Sequence, residues 1–194
     1  FEHSVSQIIS PGLNISYTNK QGDIAWWAAG RFINRSPDNP GHLPLNGENF
    51  NEHSRNYLPF SYNPKLLNPP QGYIITANND PTGKRGKSGY YQPADRAQRI
   101  EQLIKAKQQL SIDDHKRMLG DSVSILHQMI GPRLCKALTK GPSKQAFDSS
   151  LVSLFCQWNG EHETKEIGAL IFQEWLIQLR ILLTENVLTE NDRY

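Results

Sequence analysis

Side chains able to do chemistry are sparse in this sequence. The six histidines, His3, His42, His53, His115, His127 and His162, are scattered without metal-ligand spacing, and no GxSxG, HExxH, CxxC or P-loop is present. Two polar residues stand out instead, one near each end of the stretch LNISYTNKQGDIAWWAAGRFINR: Asn14 and Arg35. A side-chain amide fixed in place presents an NH2 that can donate to negative charge developing on a carbonyl oxygen. A guanidinium is a permanently charged, planar donor that can hold such an amide, or order water and substrate, without giving up a proton. Neither residue is a nucleophile or a base.

The stretch that must position them reads as a hairpin. From Leu13 to Asn19 apolar and polar residues alternate, with Leu13, Ile15 and Tyr17 on one side and Asn14, Ser16 and Thr18 on the other. Asn14 therefore faces away from the apolar side. Lys20-Gln21-Gly22 supplies a short loop with glycine at a position suited to positive φ, and Asp23 to Gly30 returns as a second strand rich in tryptophan and small residues. Arg35 follows at the exit. Tyr73 to Ala77 predicts a further strand, between Gly72 and Asn78-Asn79-Asp80-Pro81, with the two asparagines holding its end through side-chain bonds to the backbone.

The remainder supplies bulk and excludes some classes of partner. A chain of 194 residues that is 37% hydrophobic, with four Trp, is long enough for a sizeable core. The formal net charge of +2 gives no field that would select nucleic acid or an anionic membrane. Lys84-Arg85-Gly86-Lys87 reads as a solvated loop tip. No targeting segment opens the chain and no uninterrupted apolar run approaches a membrane span. Ser36 to Pro70, loaded with Pro, Gly and Asn, predicts a long irregular excursion whose Tyr57, Phe60, Tyr62 and Leu66 seek a surface to cover.

Beyond Pro93 the period becomes helical. Ala94–Gln109 is one helix, and Ser111 with Asp114 forms a capping box for the next. The stripe Leu119, Val123, Leu126 and Ile130 is broken at Gly131-Pro132. Phe147, Leu151, Leu154 and Phe155 form another stripe, and a final helix over residues 164–184 carries Ile167, Leu170, Ile171, Trp175 and Leu179. Cys135 and Cys156 lie in these helices among apolar neighbours and read as buried free thiols, with a disulfide between helices as the minority alternative.

In order and spacing, these segments resemble the penicillin amidase (penicillin acylase) family of N-terminal-nucleophile hydrolases. The matching features are the Asn-containing strand with its turn and arginine exit, then Asn68-Pro69-Pro70-Gln71-Gly72-Tyr73-Ile74, Thr76-Ala77-Asn78-Asn79-Asp80-Pro81 and Asp95-Arg96-Ala97-Gln98-Arg99-Ile100. Trp158-Asn159-Gly160 stands where the family often has Trp-Asp-Gly. The resemblance implies an α+β fold, part of an αββα hydrolase, with antiparallel strands in residues 1–92 and a helical portion in 93–194, together one structural unit of a larger protein. It implies that Asn14 is an oxyanion-hole asparagine and that Arg35 lies close to the active centre.

In that family a Ser, Thr or Cys exposed at a new N-terminus by autocatalytic processing is the nucleophile, with its own α-amine as base. Phe1 cannot serve. The expectation is therefore an interior segment of the large (beta) subunit, inactive alone, whose partners are the small subunit and the nucleophile-bearing part of the large one. The implied substrate is a small-molecule amide, either a penicillin or cephalosporin side chain or an acyl-homoserine lactone, and the implied location is periplasmic or secreted. Nucleic acid and membrane are not expected as partners, and the chemistry needs no cofactor. A structural calcium is possible in the full-length protein, but a single carboxylate at Asp23 favours a turn-stabilising role. The alternative is a non-catalytic packing module of the same fold, with which the departure at Asn159 is consistent.

Overall fold

The structure, a computed structural model, describes residues 1–35, 48, 56–81, 91–141 and 147–185. The chain forms two compact units, Phe1–Ala97 and Gln98–Tyr194.

The first unit is built on the hairpin. After a short helix α1 (Glu2–Ser6), strands β1 (Leu13–Thr18) and β2 (Ile24–Ala29) pair antiparallel, with Leu13 opposite Ala29 and Thr18 opposite Ile24. Gly22 in the turn has φ of 92°, the backbone that the sequence demanded there. Strand β2 is central, because β3 (Lys65–Leu67) pairs along its other edge. Being enclosed on both faces, β2 needs no polar alternation, which is why IAWWAA reads as an unbroken apolar run. One face carries the core of Val5, Ala25, Trp27 and Ala29, against which Ile8, Ile15, Tyr17 and Phe60 pack. The other face carries Trp26 and Ala28, both buried, beside the exposed Asn14.

Two expectations for this unit are corrected. The third strand is not residues 73–77, which lie outside every named strand, but Lys65–Leu67, inside the stretch read as irregular. Around Ala77 a side chain replaces the ladder, since Asn79 Oδ1 accepts from Ala77 N and Asn78 adopts φ of 61°. Of the apolar residues in that stretch, Phe60 joins the core, whereas Tyr57, Tyr62 and Leu66 stay exposed. Residues 36–47 and the cluster Lys84–Lys87 lie outside the described residues.

Helix α2 (Asp95–Lys105) spans the boundary in sequence, and the second unit continues with α3 (Ile112–Leu119), α4 (Ile125–Lys140), α5 (Ser149–Gln157) and α6 (Ile167–Glu185). The capping box is formed as expected: Ser111 Oγ accepts from Asp114 N, and Asp114 returns the bond to Ser111 N. Lys107 and Ser111 donate to the Asp114 carboxyl and hold its pKa well below the usual carboxylate range, and Arg117 donates to its other oxygen. The core joins Phe155, Trp158, Ala169 and Phe172, with Ile130, Leu134, Leu138, Trp175 and Leu176 around them.

Departures from the sequence reading follow from this packing. Leu119 is not part of a continuous stripe: it is 89% exposed, Gly120 ends its helix, and Ser124 caps a new one. Helix α4 runs through Pro132, where a break was expected. Its apolar face is held on the Phe155 cluster, which offsets a proline penalty of about 3 kcal/mol. Phe147, Leu151 and Leu154 are exposed and Phe155 alone of that stripe reaches the core, while in α6 the seated face is Ala169 and Phe172 rather than Ile167 and Leu170. Cys135 and Cys156 are joined in a disulfide rather than free, their Cα atoms 5.4 Å apart. Residues 167–184 have the length and mean hydropathy, 1.4, of a membrane span, although one face of this helix is core.

Candidate functional site

Asn14 and Arg35 come to one place. Both line a cavity of about 870 Å³ in the first unit, formed where the Trp26 face of the sheet meets the exit from β2 and the segments carrying Asn78, Asn79, Gln92 and Arg96. Among the described residues, its lining contains no Asp, Glu, His, Lys or Cys. Its polar character comes from amides, hydroxyls and three guanidinium groups, those of Arg31, Arg35 and Arg96.

The strand register explains how Asn14 is held. Asn14 stands opposite Ala28, so Trp26 is its diagonal neighbour on the same face of the sheet. The buried indole Nε1 of Trp26 donates to Asn14 Oδ1 at 2.9 Å. An indole N–H can only donate, so the atom facing it must be the amide oxygen, and the orientation of the Asn14 side chain is fixed chemically. Asn14 Nδ2 has no partner among the described residues.

The three arginines differ. Arg96 is committed, donating to Ala77 O at 2.7 Å and Asn78 Oδ1 at 2.6 Å. The guanidinium of Arg31 lies over the Tyr57 ring, 5.4 Å from its centroid. Arg35 is half-buried, and its Nε is a buried donor without a partner among the described residues. Arg35 and Asn14 share the cavity without a hydrogen bond between them: the holder of the asparagine is Trp26, where the sequence reading had offered Arg35. Hairpin register would have found it, because a two-strand pairing that starts at Leu13 and Ala29 places Trp26 diagonal to Asn14. Among the described residues no strand ends at Asn78 and Asn79: Asn78 Oδ1 accepts from the Arg96 side chain and Asn79 Oδ1 from Ala77 N, and both residues line the cavity.

Asp23 is engaged at the tip of the hairpin. Asn68 Nδ2 donates to its Oδ1 and Asn19 Nδ2 to its Oδ2, at 2.8 and 2.7 Å, and these bonds lower its pKa, that from Asn19 most. Among the described residues there is no group of three His, Cys, Asp or Glu side chains placed to hold a metal ion. Asp23 is the clasp of the hairpin tip.

The sequence model of penicillin amidase matches residues 1–193. The chain belongs to the penicillin amidase family. Penicillin G acylase of Escherichia coli is 26% identical over 177 residues, which is 89% of this chain and 21% of that protein. The chain thus spans about a fifth of that relative's length. Among solved structures, a thermostable penicillin G acylase from Alcaligenes faecalis superimposes with a TM-score of 0.73 at 21% identity, covering 97% of this chain and 35% of that one. The α+β arrangement, an antiparallel sheet followed by helices, is therefore that of a penicillin acylase segment. The departure from the family's Trp-Asp-Gly leaves its turn intact, because Asn159 Oδ1 accepts from Glu161 N at 2.9 Å, as an aspartate would.

Proposed function

We propose that this chain is the part of an amidohydrolase that stabilises the oxyanion formed when a linear carboxamide is cleaved by acyl transfer. The observation that carries the reading is the state of Asn14: its oxygen is tied to Trp26 and, among the described residues, its NH2 is unpartnered at a cavity that also holds Arg35. Attack on the amide carbonyl turns its oxygen into an alkoxide. A donor that needs no reorganisation at that moment lowers the barrier. Arg35 adds fixed positive charge and a buried N–H without supplying a proton.

The acyl transfer takes its nucleophile and base from elsewhere in the protein. In this reading they belong to a processed N-terminal Ser, Thr or Cys of the same precursor, and the chain by itself turns over no amide. The substrate is a small-molecule amide of the penicillin, cephalosporin or acyl-homoserine lactone side-chain type. The compartment is oxidising, as a periplasmic or secreted location would be, a reading supported by the Cys135–Cys156 disulfide.

Asn14→Ala in the full-length processed protein tests the assignment. The expected result is a fall in kcat of roughly 10²–10³-fold with substrate binding little changed, since the charge it meets exists mainly in the transition state. A variant that keeps near-native kcat but melts several degrees lower would show that Asn14 only holds the hairpin.

A further inference from the structure

We infer that Trp26 is the positioning residue of this site, setting which edge of the Asn14 amide faces the reacting carbonyl. The inference rests on the oxyanion reading of Asn14 and deepens it. The terminal torsion of an asparagine side chain is broad, and its oxygen and nitrogen ends are nearly equal in size, so shape alone does not choose between them. The choice matters chemically. With the NH2 edge toward the cavity the amide donates to a developing oxyanion; with the oxygen edge there, two electron-rich oxygens oppose each other.

Trp26 makes the selection through one bond, Nε1–H to Asn14 Oδ1 at 2.9 Å, and its own rigidity makes the selection strong. Only 4% of the residue is exposed, and its backbone sits in the central strand, paired to both neighbours. The donor therefore cannot swing away with the asparagine. A buried indole N–H also needs an acceptor, so the same bond that orients Asn14 satisfies Trp26. Trp27, next along the strand, is equally buried but faces the opposite core of Val5, Ala25 and Ala29, away from Asn14, and its Nε1 has no hydrogen-bond partner among the described residues, so it provides a comparator without the bond.

The experiment measures kcat and KM for a chromogenic acyl anilide with the full-length processed protein, rates being referred to the titrated concentration of active sites. The forms compared are native, Trp26→Phe, Asn14→Ala, the double variant and Trp27→Phe. The expected pattern is a fall in kcat of about tenfold or more for Trp26→Phe, with KM changed much less, because a misaligned catalytic group is costly even when it stays in the site. In the Asn14→Ala background, Trp26→Phe adds no further loss of kcat, and Trp27→Phe lowers the melting temperature while its kcat per active site stays native. Native kcat for Trp26→Phe together with a depressed Asn14→Ala would overturn the positioning role and leave the oxyanion reading standing. So would a Trp26→Phe loss that multiplies fully with that of Asn14→Ala. Native kcat for Asn14→Ala overturns both.

Discussion

Asn14 and Asp114 are both polar side chains near the start of a regular element, in different units of the chain, and their surroundings differ. Asp114 accepts from Lys107, from the backbone and hydroxyl of Ser111, and from Arg117, so both carboxylate oxygens are engaged. Among the described residues Asn14 is engaged on one edge, through Trp26. The second unit repeats the first pattern: Arg99 clasps Asp121 through two bonds at 2.8 and 2.6 Å, and Asp148 caps α5. The first unit leaves donors open at a cavity. Saturated polar groups fix a shape, whereas a half-held one keeps an edge free for water or a ligand. Among the described residues of the second unit, His127 departs from this division. His127 is buried against Phe155, Trp158 and Phe172 with its Nδ1 unpartnered, and a Cβ on Gly131 or Gly160 would collide with its ring.

If the division holds, damage to the second unit should cost stability and leave the chemistry of correctly folded molecules intact. Phe155→Ala gives the largest expected effect. It removes a side chain that is 1% exposed at the centre of the cluster and should cost about 3–5 kcal/mol, read from denaturant unfolding of the protein. A variant that unfolds as the native protein does but loses kcat per active site would erase the contrast between the units.

Next comes the disulfide. Cys135 and Cys156 are 21 residues apart, and opening a loop of that size should lower stability by about 3 kcal/mol on chain-entropy scaling. Cys135→Ser with Cys156→Ser, or treatment with dithiothreitol, should shift the unfolding midpoint down and leave kcat per active site unchanged. An unchanged midpoint would mean that packing of α4 on α5 already holds the two helices without the bridge.

The smallest effect is that of pH on His127. Burial, and secondarily the charge of His162, lower its pKa from the ordinary value near 6.5. The folded state therefore holds fewer protons than the unfolded one over that range. The stability contributed by neutral His127 is complete above about pH 6.5 and is lost as pH falls below it and the unfolded imidazole protonates. Unfolding midpoints of native and His127→Phe protein between pH 7.5 and 5.5 should diverge, the native falling more steeply. Parallel curves would show that His127 titrates alike in both states.

What could be read from sequence depended on whether the determinant was local. The hairpin was legible because its alternation, its glycine turn and its tryptophans lie within one short stretch, and the face occupied by Asn14 followed from a period of two. The capping box at Ser111 and Asp114 was legible for the same reason. Lys65–Leu67 was not, because three residues between prolines carry no strand pattern. They pair with β2 because Pro64 O accepts from Ala28 N, and because Asn68 N donates to Ile24 O while Asn68 Oδ1 accepts from Ile24 N. Pro132 misled because local propensity yields to packing over a whole helix face. The pairing of Cys135 with Cys156 depends on how α4 lies against α5, which no spacing rule encodes. At the site, the two residues singled out do share a cavity, but the bond that fixes Asn14 had to be read from strand register.

Asn34 N donates to Asn56 O at 2.6 Å, Leu58 N donates to Phe32 O at 2.8 Å, and Ile33 stands opposite Tyr57 as a bridge. The chain therefore leaves at Arg35 and re-enters at Asn56 through a neck that is already stitched shut. For protein engineering this neck is a splice junction. With the ends held by these bonds, doubling the length of the intervening segment costs only about 0.6 kcal/mol of closure entropy. Segments of different length and composition can be exchanged between Arg35 and Asn56 as cassettes, with the hairpin that carries Asn14 and its exit at Arg35 kept as the constant part of the library.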